Sequence, residues 1–258
     1  MTRWLAVYTL CLREIVRFAR QRSRLVGALG QPLLFWLLLG GGLKGSFHPA
    51  GQPAGTDYLQ YFYPGILALT LLFTAIFATI SVVEDRQAGF LQGVLVAPVP
   101  RWSIVAGQAA GSTVLAVIQG ALLLLLAPVA GLRLTLMAVV SSIGVMILLG
   151  FTLSSLGLLL AWRMESTQGF HAIMNLLLLP MWLLSGAFFP AANAPGALAW
   201  LMRLDPMTYG MAALRRALDA AHPDPSLPPL GPSLIVVALF GALAFSGATA
   251  LARRNAQP

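Results

Sequence analysis

Long apolar runs alternate with short polar breaks along the chain. Six runs, at 25–43, 61–83, 104–127, 134–162, 170–189 and 233–251, predict helices. Each approaches or exceeds the roughly 20 residues that cross a bilayer as a helix. The first is interrupted by Gly30, Pro32 and the triplet Gly40-Gly41-Gly42, and the second opens on the aromatics Tyr61, Phe62 and Tyr63. Residues 190–232 are neither apolar enough to span twice nor polar enough for a free loop. Pro195 to Met202 and Thr208 to Leu218, the latter with Pro206 just ahead of it, predict two short amphipathic helices near the outer surface.

Two further stretches are amphipathic. In the arm, residues 1–23, the cations Arg13, Arg17, Arg20 and Arg24 are spaced four, three and four apart and share one helical face. Trp4, Tyr8, Cys11, Ile15 and Phe18 gather opposite. An interfacial helix is predicted, rings in the headgroup boundary and guanidiniums towards anionic lipid. The n-region of a signal peptide is disfavoured, because the following apolar run is too long for an h-region. In the second stretch, 84–103, Glu84, Asp85 and Arg86 are expected in water. Phe90, Leu91, Val94 and Leu95 then fall on one side of a short helix, with Gly89, Gln92 and Gly93 on the other. Pro98 and Pro100 stop it, and Trp102 suits the level where water meets lipid. Such a helix can lie on lipid, fit a groove on another protein, or be a plain polar turn.

Composition sets the soluble readings aside. The chain has 258 residues, 58% hydrophobic and 9% charged, with a mean hydropathy of +0.82. Soluble domains carry about 25% charged residues. Cys11, the single cysteine, excludes an internal disulfide and a cysteine-based metal cluster. The net charge of +8 fits basic residues retained on the cytoplasmic side better than nucleic-acid binding. With the amino terminus inside, eleven cations face the cytoplasm and five face out. Both termini and 84–103 are therefore expected in the cytoplasm, in the cell membrane of a prokaryote.

Catalytic chemistry finds little support. No phosphate-binding loop with its Gly-Lys-Ser/Thr ending is present, and His48, His171 and His222 form no HExxH pair. His171 and Ser185 lie fourteen residues apart on one predicted helix, about 21 Å along its axis, too far for a dyad. An ion-coupled carrier would place carboxylates inside the membrane. The run cores instead offer Gln31, Gln119, Asn175, Ser and Thr. The absence of a motor and of an evident ion site points to an external motor.

The stretch from Glu84 to Ser103, above all Val94-Leu95-Val96-Ala97-Pro98-Val99-Pro100, resembles the intracellular coupling helix of ABC-2 type permeases, particularly the drug, lipid and lipo-oligosaccharide export branch. A second match, Leu184-Ser185-Gly186-Ala187-Phe188-Phe189-Pro190, then Asp205-Pro206-Met207-Thr208-Tyr209, then Ala213-Leu214-Arg215, is similar to that family's closing pattern. The resemblance covers nearly the whole chain. It implies an all-α polytopic fold of six transmembrane helices in one domain, 1–258, with an interfacial arm, a cytoplasmic coupling helix and short re-entrant external helices before the last span.

By the same resemblance, Glu84, Asp85, Arg86, Gly89, Phe90, Leu91, Gln92, Val94, Leu95 and Pro98 would contact an ATPase subunit. Ser185, Gly186, Phe188, Phe189, Pro190, Pro206 and Tyr209 would form the external gate. Two ATPase chains, holding ATP and Mg, and a second permease subunit would be the partners, within the lipid bilayer and with no nucleic acid. The chain itself would hold no cofactor. The cargo would be an amphipathic drug, lipid or lipo-oligosaccharide, with a polysaccharide as the alternative. Gln92 stands where the family often has Glu, and Asp205 where it often has Asn. The first leaves any ionic contact with the ATPase to Glu84 and Asp85.

Overall fold

The computed structural model describes residues 2–42, 58–132, 134–188, 195–219 and 226–254, apart from the side chains of 2, 22–25 and 28. Among the described residues the elements are all α-helical: α1 Thr2–Arg20, α2 Arg22–Gly42, α3 Tyr58–Thr79, α4 Ser81–Gln87, α5 Phe90–Val96, α6 Arg101–Leu124, α7 Leu136–Ala161, α8 Thr167–Leu184, α9 Gly196–Leu204, α10 Pro206–Leu218 and α11 Leu230–Arg254.

Among the described residues, five helices are long and apolar enough to cross a membrane: Tyr58–Gln87, which joins α3 and α4, then α6, α7, α8 and α11. The first predicted run lies in α2, whose apolar stretch among the described side chains is Leu29–Gly42. Pro32 stands inside α2 and Arg22 and Arg24 sit at its start. The two short helices expected after the fifth run are α9 and α10.

The core forms around α3, which packs between α2, α6 and α7, while α11 lies along α7. Along α3 nearly every side chain is buried, including Phe62, Ile66, Leu67, Leu69, Leu71 and Ile76. By contrast α8 and α11 turn most of their apolar surface outward. Leu176 of α8 and Leu243 of α11 are 78% and 72% exposed. Apolar surface of that extent requires lipid or another protein chain.

The arm is part of this packing. Its helix runs along α6, and the spacing of Gly107 and Gly111 makes room for it. A Cβ on Gly107 would fall 2.8 Å from Leu10 Cβ, and one on Gly111 would fall 2.7 Å from Glu14 Cβ. Small residues four apart let two helix backbones approach closely. The ring face of the arm divides accordingly. Trp4 and Tyr8 stay exposed, and Phe18 is buried. Trp102 pairs edge-on with Trp4 at a centroid distance of 5.8 Å.

Candidate functional site

At the α5 end of the molecule, α4 continues α3 after a turn at Ile80 and carries Glu84, Asp85 and Arg86. Expected in water, these three are engaged within the protein. Asp85 is 4% exposed. Its two oxygens receive a fork from Arg13, Nη1 to Oδ2 at 2.6 Å and Nη2 to Oδ1 at 2.7 Å. Arg17 donates Nη1 to Asp85 Oδ1 at 2.8 Å and Nη2 to Glu84 Oε2. Two of the four arginines expected to face anionic lipid therefore hold the end of the long apolar helix Tyr58–Gln87. Arg20 is exposed, and the side chain of Arg24 lies outside those described. The reason is spatial: α1 runs alongside α6 and brings its cationic stripe over α4. The Asp85 bond and charge push Arg13 above its usual pKa.

Glu14 of the arm is 3% exposed. Its carboxyl is pushed upward chiefly by burial, against the opposing hydrogen bond from Ser81 and the charge of Arg13. Three carboxylates and two guanidiniums thus share one small volume.

Gly89 adopts φ 74°, a left-handed conformation open to glycine, and so re-aims the chain from α4 into α5. Ala97 is extended ahead of Pro98, and extended Pro100 precedes α6. The predicted apolar face of α5 is split by the fold. Leu91 is 3% exposed and joins the core, with Leu95 packed against it. Phe90 and Val96, 45% and 85% exposed, face out beside exposed Gln92, Gly93 and Pro98. The Arg13 guanidinium lies 4.1 Å from the Phe90 ring centroid. Val94, half-buried, lines a recess of about 470 Å³ between α5 and the arm residues Ala6, Thr9 and Leu10.

At the opposite end, the chain after α8 is pinned by tyrosines and a cation. Gly186, φ 82°, turns it. The Gly186 carbonyl accepts from Tyr61 Oη at 3.5 Å and from Arg215 Nη2 at 3.1 Å, and Arg215 also stands 4.2 Å over the Tyr61 ring. Phe188 packs edge-on against Phe62 at 5.8 Å, and its carbonyl accepts from Tyr58 Oη at 3.3 Å. Trp182 Nε1 donates to the Gly65 carbonyl at 2.8 Å. Ser185 is buried and donates to the Trp182 carbonyl. Tyr209 reaches back to the Arg203 carbonyl at 3.0 Å. Phe189 and Pro190 lie outside the described residues.

Pro206 opens α10, and Asp205 caps it, with Oδ1 accepting from the Met207 N–H at 2.9 Å. The other oxygen is buried and finds no hydrogen-bond partner among the described residues. Burial pushes this carboxyl up to about 7, against the Met207 and Thr208 hydrogen bonds. A folded pKa above the unfolded one gives stability that is full below the unfolded value and is lost as pH rises through the folded value. Asn caps helices as well as Asp does. Asp205→Asn is therefore expected to raise the thermal midpoint by a few degrees near about pH 8 and hardly at all near about pH 4. Equal gains at both would refute the raised pKa.

Within the membrane-spanning part, Thr74 of α3 donates to Gln119 of α6 at 2.6 Å. This is the interhelical bonding expected of such polar groups. Gln31 and Asn175 are exposed. Among the described residues no group of three or more His, Cys, Asp or Glu side chains could hold a metal. Glu14, Tyr58 and Trp182 were not legible as partners beforehand. For the arm contact the signal was present: Gly107 and Gly111 form a GxxxG spacing.

The sequence model of the ABC-2 type transporter family matches residues 6–218. The chain is 30% identical over 213 residues to the putative transport permease ycf38 of Cyanophora paradoxa, covering 81% of this chain and 72% of that protein. Nodulation protein J of Rhizobium meliloti (strain 1021) is 25% identical over 92% of this chain and 88% of its own. The probable multidrug ABC transporter permease YbhR of Escherichia coli (strain K12) is 26% identical over 74% of this chain and 52% of that relative.

Proposed function

The chain belongs to the ABC-2 type transporter family, and from that premise we propose that it is the permease subunit of an exporter whose ATP is hydrolysed by a separate subunit. One observation carries this reading. Arg13 and Arg17 bind Asp85 and Glu84 of α4, and Arg13 also stands over the Phe90 ring, so the arm, the end of a long apolar helix and α5 form one unit. That unit presents Phe90, Gln92, Gly93 and Val96 outward. A partner that pulls on α5 moves the arm and a span end with it. Glu84 and Asp85 are spent inside the chain, so the outward contact rests on shape and apolar area more than on ion pairs.

In this reading α2 supplies the sixth crossing, and the outward faces of α8 and α11 meet lipid or a second permease copy. Both termini lie in the cytoplasm of a prokaryotic cell, in line with the cation count. Phe188 and Tyr209 belong to the outer gate. The cargo is an amphipathic drug, lipid or lipo-oligosaccharide. Exposed apolar helices and the similarity to a protein described as a multidrug permease support that class.

The test is reconstitution with a partner ABC ATPase subunit. Export from vesicles is expected with ATP and that subunit, and to stop when the subunit's catalytic glutamate is replaced. Transport driven by a proton gradient alone would overturn the reading in favour of an ion-coupled carrier.

A further inference from the structure

Helix α7 ends at Ala161, and the chain reaches α8 through a short link at 162–166. The last turn of α7 closes on itself, with Trp162 N–H on the Leu158 carbonyl, Arg163 N–H on Leu160 and Met164 N–H on Ala161. The carbonyls of Trp162 and Met164 then receive the Arg86 guanidinium, Nη2 at 3.0 Å and Nη1 at 2.8 Å. The neighbouring Gln87 donates Nε2 to the Glu165 carbonyl at 2.9 Å. Two consecutive side chains of α4 thus hold three carbonyls of one link. A cation at a helix C-terminus is favoured by the exposed carbonyl dipoles, and the rigid fork of Arg suits two acceptors at once.

Three features make this contact mechanical. A recess of about 620 Å³, lined by Arg86, Leu91, Gln92, Trp162, Arg163 and Glu165 among others, lies between α5 and the link. Beside it the link is anchored by Trp162, buried in the core, and by these hydrogen bonds. The acids adjoining Arg86, Glu84 and Asp85, are engaged with Arg17 and Arg13. Finally, α8 turns most of its surface outward and is anchored at this end by the link and by the buried Phe170.

We infer that Arg86 is a positioning residue that fastens the α7–α8 link to α4, which packs against α5, so that movement imposed on α5 reaches α8 as well as the arm. This rests on the reading of α5 as the ATPase contact. Under it, one face of the unit drives the arm through Arg13 and Arg17. The other drives α8, whose far end carries Trp182 and leads through Ser185 to the proposed outer gate.

The test places spin labels at Gln92→Cys on α5 and Gln168→Cys at the start of α8, with Cys11→Ser, in the full chain with its ATPase. With Arg86 present, one narrow distance is expected, unchanged when ATP and vanadate are added. In Arg86→Ala a second, longer distance should appear, and nucleotide should then change the separation. Gln87→Ala, which removes one of the three bonds, should shift the distance the same way by less. It keeps the test open if Arg86→Ala fails to fold. The inference is overturned if both variants keep the original distance, or if nucleotide changes the separation while Arg86 is intact. If the ATPase does not bind the parent chain, the exporter reading fails. The nucleotide-free distances still decide the role of Arg86.

Discussion

Leu91→Asp is expected to abolish accumulation of the folded permease, whereas Val96→Asp with Phe90→Ala should leave it inserted and release the ATPase. All three side chains sit on a helix of seven residues, and their fates differ because of what each faces. Leu91 is 3% exposed inside the core. Its loss removes about 2–5 kcal/mol of transfer and packing. The new carboxyl, with no partner in that position, adds a further burial penalty. Against a typical net stability of about 5–15 kcal/mol this is severe. Val96 is 85% exposed, so a carboxylate there meets water in the free chain and an apolar surface only in the complex. The measurements are membrane-inserted protein by detergent gel filtration and recovery of the ATPase on the tagged permease. A folded Leu91→Asp chain that merely loses the ATPase would mean Leu91 faces the partner after all.

Asp85→Ala is expected to have the second largest effect, with the arm coming away from α4. Removing one partner of a fully buried ion pair destabilises by about 3–5 kcal/mol. Arg13 and Arg17 retain 29% and 23% side-chain exposure, so water relieves part of that loss and roughly 2 kcal/mol is expected. Glu84→Gln should change stability by less than about 1 kcal/mol, because Glu84 and Arg17 both reach solvent. Thermal unfolding in detergent ranks the two variants. A double-mutant cycle of Asp85→Ala with Arg13→Ala should show a coupling above about 1 kcal/mol. A coupling near zero would mean the fork contributes nothing to holding the arm.

Residue-level reading of the ends was less complete than reading of the elements. The arm stripe at 13, 17 and 20 was visible as a helical face, yet its partner was assigned to lipid. A basic stripe looks the same whether anionic lipid or a buried carboxylate lies opposite. Only the 72-residue separation of Arg13 and Asp85, closed by the fold, tells them apart. The same holds for α5, where Phe90, Leu91, Val94 and Leu95 are equivalent by periodicity and unequal by position. Arg215 was noticed for its place in a motif, but its stacking on Tyr61 required α10 to lie against the start of α3.

The sequence by itself determined the membrane class, the all-helical architecture, the stops at Pro98 and Pro100 and the short helices α9 and α10. These follow from local physics: continuous apolar length, helical period and proline geometry act within a window of some twenty residues or less. The tertiary structure alone decided which charges are paired, which face of α5 is free, that the arm lies in the glycine groove of α6, and that Arg86 reaches the end of α7. Those depend on contacts between residues far apart in the chain. Desolvation and ion pairing are set by what the fold brings opposite each side chain, and no periodicity records that.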